Sequence, residues 1–136
     1  MCSSDLAQPA RIDEVAISAA LQAENARPRE IADTLAELKA RKLADRNPEA
    51  LVLGCDQVLD FDGQVWSKPD DLPEARQQLQ TLRGQTHRLH SAVVLFHQAK
   101  PIWRQVGTAR LTMTNFSDAW LDSYLARTWP DRKSVV

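Results

Sequence analysis

The chain has 136 residues, 43% of them hydrophobic, enough for one domain with a real core. Its formal net charge of −1 speaks against a nucleic-acid or membrane-surface binder driven by positive charge. No apolar run approaches a membrane span, no signal-peptide core follows the start, and Cys2 and Cys55 make no disulfide framework; a cytoplasmic protein is expected.

The two ends, residues 1–6 and 131–136, continue no pattern around them and resemble translated sequencing adapters. The domain is therefore expected to occupy residues 7–130, as an internal piece of a longer gene product. Asp13 or Glu14 charges the first turn of a helix reaching about Asn25. Pro28 opens a second helix in the first-turn position that proline tolerates, and Asn47-Pro48 stops it near Asp45. Its apolar stripe is Ile31, Leu35, Leu38 and Leu43. Lys39, four residues from both Leu35 and Leu43, lies on or beside that stripe. Two readings follow: the ammonium snorkels to water, or it points along the sheet at a bound anion.

The stretch from Leu51 to Pro69 organises the rest. Leu51-Val-Leu-Gly-Cys reads as a buried strand that stops at Asp56, and a carboxylate there needs a reason. On a two-residue period Gly54 and Asp56 share a face, and Gly54 leaves room for a ligand beside the carboxylate. Asp62-Gly63 marks a hairpin whose return, through Val65 and Trp66, brings Lys68 back toward Asp56. A two-residue loop would set Gln57 opposite Lys68. A three-residue loop, with Gly63 as a bulge, would set Asp56 opposite Lys68, and a shared catalytic face requires this second register. An acid beside a lysine suits an anionic substrate.

Asp70 or Asp71 caps a third helix with Pro73 in its first turn, Gly84 as its stop, and Leu72, Ala75, Leu79 and Leu82 as its buried stripe. Thr86 to Phe96 reads as a strand, Gln98 to Pro101 as a turn, and Ile102 to Thr114 as a further strand. Ser117 caps a last helix bearing Trp120, Leu121, Tyr124 and Leu125. The order predicts an α/β fold with a mixed sheet. Phosphate-loop, dinucleotide and zinc motifs are absent from the sequence, and His87 and His90, with no partner motif, read as structural.

Ala36-Glu-Leu-Lys-Ala40, Gly54-Cys-Asp-Gln-Val58, Ser67-Lys-Pro69 and Leu82-Arg-Gly-Gln-Thr-His87 together resemble the Maf family of nucleotide pyrophosphatases, in order and spacing across residues 7–130. The resemblance implies an elongated mixed sheet with flanking helices, similar to inosine triphosphatase-like enzymes and here truncated at both ends. It implies hydrolysis of a nucleoside triphosphate to the monophosphate and pyrophosphate, with a divalent cation (Mg²⁺ or Mn²⁺), by a cytoplasmic homodimer. By the same resemblance Asp56 is the proton acceptor, and Lys39 and Lys68 contact phosphate. Glu14 is an acidic site residue and, with Asp56, a metal ligand. Gln57 marks the subgroup that cleaves 7-methyl-GTP, where a Thr marks cleavage of dTTP or UTP. The family's Ser-x-Ser-x-Arg-Arg loop would precede Ala7, and its Gly/Gln-containing segment would follow Pro130, so the chain as written is expected to be inactive. The competing reading is a non-catalytic nucleotide-binding protein acting in septum control.

Overall fold

The computed structural model describes residues 11–129; the expectations about both chain ends and Cys2 lie outside them. The element order is α1 (Glu14–Ala23), α2 (Pro28–Arg46), β1 (Leu51–Phe61), β2 (Gln64–Trp66), α3 (Leu72–Leu82), β3 (Thr86–His97), β4 (Lys100–Thr112) and α4 (Asp118–Thr128). Local chemistry sets the boundaries much as the sequence suggests. Asp13 caps α1 by accepting from Ala16 N–H, Asp71 caps α3 through Glu74 N–H, and Ser117 caps α4 through Trp120 N–H. Asp62 and Gly63 both take positive φ, 54° and 84°, which makes the β1–β2 connection a two-residue type I′ turn.

The strands form one sheet in the order β2-β1-β3-β4, and every pairing among the described residues is antiparallel. The α/β character is as expected, but the described strands contain none of the parallel pairs of a mixed sheet. Hairpin turns join β1 to β2 and β3 to β4, and α3 returns the chain so that β3 runs antiparallel to β1. The hairpin also corrects the expected register: Phe61 pairs with Gln64 and Leu59 with Trp66, so no bulge sets Asp56 opposite Lys68. With positive φ at both Asp62 and Gly63, the tight turn closes without a third loop residue. β2 ends at Trp66, and Lys68 follows it outside the ladder.

Helix α2 covers one face of the sheet. Its contact seam is Ile31, Ala32, Leu35, Ala36, Ala40 and Ala44, packed against Val52, Val58, Ala92, Val94 and Phe96. Of the expected stripe, Ile31 and Leu35 are buried and Leu43 is partly buried, whereas Leu38 lies outside the seam; the alanines take its place and let the two backbones approach closely. At Gly54 a Cβ would lie 2.4 Å from Ala36 O and 2.6 Å from Ala40 Cβ. The glycine therefore makes room for α2, and the sequence reading of a ligand approach there is corrected. A second, smaller core joins α3 to α4: Ala75, Leu79, Leu121 and Leu125 bury against Met113 and Phe116. On the face of β1 away from α2, Leu51 is 66% and Leu53 43% exposed, while Leu59, beside the hairpin, is buried. Along β4 only Val106 is partly covered, because α2 reaches no further across the sheet.

Candidate active site

Asp56 is not at a strand end, as the apolar run suggested. It lies inside the eleven-residue β1, paired with Ala92 of β3, on the face that α2 covers. Lys39, one helical turn from Ala36 on the edge of the α2 seam, meets it there. The Lys39 ammonium donates to Asp56 Oδ1 at 2.8 Å and lies 2.6 Å from Glu14 Oε1 of α1. Three elements distant in sequence thus join in one Glu14–Lys39–Asp56 cluster. Lys39 does neither of the two things its spacing left open: it is paired, with two carboxylates.

The Asp56 side chain is 7% exposed, and its Oδ2 is buried with no hydrogen-bond partner among the described residues. Burial raises its pKa above the ordinary aspartate value, since removal from water penalises the anion. Lys39, by hydrogen bond and by charge, pulls the other way, Glu14 adds to the rise, and Lys68 lowers it. For Lys39, burial favours the neutral amine, but its bonds to Asp56 and Glu14 outweigh that and hold its pKa above the usual lysine value. The two upward shifts differ in kind: Lys39 is a firmly held cation, whereas Asp56 is a carboxylate under desolvation strain. The orphaned Oδ2 is the geometric counterpart of that desolvation.

Lys68 is exposed, with its charge close enough to act on Asp56. Its approach is set by the peeling of the chain after Trp66 and by Gln78 of α3, whose Nε2 donates to Ser67 O at 3.0 Å. Gln57 projects to the sheet face opposite Asp56, because successive strand residues alternate. There its Nε2 donates to Ser91 Oγ, on the residue it pairs with in β3, at 3.0 Å.

A second polar cluster escaped the sequence reading. Asp60 Oδ2 lies 2.9 Å from His90 Nε2, His90 Nδ1 lies 2.9 Å from Thr108 Oγ1, and Asp60 Oδ1 accepts from Gly63 N–H at 2.8 Å. Asp60 shares the two-residue phase of Gly54 and Asp56, so a second acid on the covered face was the available signal. Every polar atom of this cluster is satisfied, and it locks the hairpin turn to the sheet. His90 thus has a structural setting, as read. His87 is also buried, its Nδ1 has no partner among the described residues, and burial lowers its pKa.

Among the described residues, no group of three or more His, Cys, Asp or Glu side chains gathers to hold a metal. Glu14 and Asp56 are the two carboxylates at the cluster, both in contact with the Lys39 ammonium.

A family model described as Maf-like protein matches residues 4–134. A Ruegeria protein (strain TM1040) named nucleoside triphosphate pyrophosphatase is 55% identical over 127 residues, covering 93% of this chain and 64% of its own length. A protein of the same name from Caulobacter vibrioides is 52% identical over 116 residues, 85% of this chain and 58% of its own length. A Brucella abortus protein named 7-methyl-GTP pyrophosphatase is 42% identical over 118 residues, 87% of this chain and 59% of its own length. The chain thus spans somewhat less than two thirds of these curated relatives.

Proposed function

This chain belongs to the Maf family, and we propose that the natural protein hydrolyses a nucleoside triphosphate, 7-methyl-GTP in preference to dTTP or UTP, to the monophosphate and pyrophosphate. The observation that carries the reading is Asp56: a buried carboxylate with one oxygen held by Lys39 and the other unpaired. A structural ion pair needs no free oxygen, whereas a proton acceptor does.

In this reading, Asp56 Oδ2 takes the proton from a water that attacks the α-phosphorus, and pyrophosphate leaves. A raised pKa makes the ionised Asp56 carboxylate a better base than an ordinary aspartate. Lys39 holds the carboxylate in place, and Lys68, which is exposed, offsets phosphate charge. Glu14 keeps the Lys39 ammonium charged and oriented.

The donor set suits Mg²⁺ or Mn²⁺. Glu14 and Asp56 offer hard carboxylate oxygens, too few to complete a shell without substrate phosphate and water. When bound, such a cation supplies further neutralisation of the triphosphate. The reading includes a homodimer in the cytoplasm, which rests on family resemblance alone; no helix among the described residues is long and apolar enough to cross a membrane.

The test is pyrophosphate release from a panel of nucleoside triphosphates by the natural protein and its Asp56→Asn variant. Turnover by the first, and a loss of about 10³-fold or more in a folded variant, is the expected result. Near-normal turnover in Asp56→Asn would remove Asp56 from the mechanism, and kinetics favouring dTTP would overturn the substrate preference.

A further inference from the structure

Lys68 sits in the short connection between β2, which ends at Trp66, and α3, which starts at Leu72. A lysine carries a point charge on a flexible four-carbon stem, so where it acts depends on how its backbone is held. Strand pairing does not hold it, because the β1–β2 ladder ends at Leu59 and Trp66. Pro69 supplies part of the constraint: its ring fixes its own φ and, by crowding the residue before it, keeps Lys68 extended. That sets the shape of the segment but not its position.

Position comes from α3, which ties the segment on both sides of Lys68-Pro69. Before the pair, Gln78 Nε2 donates to Ser67 O at 3.0 Å. After it, Asp70 N–H donates to Glu74 Oε2 at a long 3.4 Å, and Asp71 Oδ1 accepts from Glu74 N–H at 2.8 Å. Glu74 and Gln78 are four residues apart, so both project from one face of the helix. Packing does not duplicate these ties. Ser67 and Trp66 face Glu74 and Gln78 across an open cavity of about 370 Å³, which leaves the segment room to shift if its anchors are lost. The Gln78 bond is the shorter of the two side-chain ties to the loop backbone, and it is made at the residue next to Lys68.

We propose that Gln78 is a positioning residue: with Glu74 it clamps the Ser67–Asp70 segment to α3 and so presents the Lys68 ammonium to the phosphates of a bound nucleotide. The inference rests on the nucleotide pyrophosphatase reading, within which it gives α3 a part that no step above assigns. Gln78 touches neither substrate nor Asp56 and acts only through Lys68. A segment ordered before the nucleotide arrives spares binding the cost of ordering it. Gln78 therefore contributes to phosphate affinity and leaves the chemistry at Asp56 to other groups.

The test is a double-mutant cycle in the natural protein between Gln78→Leu and Lys68→Met. Binding of a GTP analogue with a methylene bridge between the α and β phosphates is measured by calorimetry, which needs no turnover, alongside triphosphate kinetics. Gln78→Leu alone is expected to weaken the analogue by about 3- to 10-fold and to raise KM by a similar factor at nearly unchanged kcat. In the Lys68→Met background the same substitution is expected to cost nothing further, because the group it positions is gone. A merely structural role would cost the same in both backgrounds. Gln77→Leu, at the neighbouring position on α3, is the control and should bind as wild type does. Unchanged binding in a Gln78→Leu variant of native circular dichroism, losses that add across the cycle, or no binding of the analogue by the unmutated protein would overturn the proposal. Absence of turnover in the unmutated protein, with the coupling in analogue binding intact, would overturn the pyrophosphatase reading and leave the clamp standing.

Discussion

Replacement of Lys39 by Met separates the two roles of the Glu14–Lys39–Asp56 cluster. Methionine keeps most of the apolar stem that packs along α2 and deletes the ammonium, which lies 2.8 Å from Asp56 Oδ1 and 2.6 Å from Glu14 Oε1. Removing one partner of a fully buried ion pair costs about 3–5 kcal/mol, because the other charge stays buried alone. The cluster is not fully buried: the Lys39 side chain is 21% and Glu14 48% exposed, so Glu14 loses little and solvent screens part of the rest. The uncompensated charge is Asp56, 7% exposed. A loss of about 2–3 kcal/mol at neutral pH is expected for the natural protein, read as a lowered urea midpoint at unchanged m-value.

The pH dependence carries the sharper test. Burial already holds Asp56 above its ordinary pKa, and without Lys39 it rises further. Native Lys39→Met then binds a proton over a range in which the unfolded chain has released it. Its stability is present below the raised folded pKa and is lost as pH rises through it. The deficit against wild type should therefore shrink as pH falls through the raised folded-state value of Asp56. Adding Asp56→Asn should recover most of it at neutral pH, the signature of a coupled pair. A deficit that is flat with pH, or that Asp56→Asn fails to relieve, would refute the placement of a strained carboxylate at this position.

The acid limb of kcat/KM should lie above the ordinary aspartate pKa, activity falling as pH drops through the raised Asp56 value, and Lys68→Met should move that limb further up because Lys68 lowers Asp56. A pH–rate profile checks both directions. Gly54→Ala should cost about 1–3 kcal/mol or more and depress turnover, since its Cβ would meet Ala36 O at 2.4 Å and push α2, with Lys39, off the sheet. Chemical denaturation and turnover of one preparation measure the two effects. His90→Ala should destabilise by about 1–3 kcal/mol, leaving Asp60 Oδ2 without its partner, while KM stays as in wild type.

The helices were legible because their caps are local. Asp71, Ser117 and Pro28 act within a turn of themselves, and the observed starts at Leu72, Asp118 and Pro28 follow from them. The acid was legible too, since a carboxylate interrupting a Val/Leu-rich run is costly without a partner. What could not be read was the partner. Lys39 is 17 residues from Asp56 and Glu14 lies on a third element, so their meeting depends on how closely α2 approaches β1. That approach is set by Gly54 against Ala36 and Ala40, a glycine that in sequence reads equally well as space for a ligand.

The hairpin shows how a local preference and a functional argument conflict, and why the local one wins. A shared face for Asp56 and Lys68 through strand pairing demands a bulged, three-residue loop. Asp-Gly, however, is among the residue pairs best suited to positive φ at both central positions, and the two-residue turn matches the twist of the flanking strands. The chain adopts it, and Asp60 secures it by accepting from Gly63 N–H while bound to His90. Lys68 reaches the field of Asp56 by another route: β2 stops at Trp66, and Gln78 pins the departing backbone at Ser67. Pairing would have fixed Lys68 on one face of the sheet. Departure from the ladder frees it to act on Asp56 while Trp66, two residues earlier, stays with Gln57 on the opposite face. The turn that contradicted the expected register ends the pairing at Leu59 and Trp66, and so leaves Lys68 outside the ladder and within the field of Asp56.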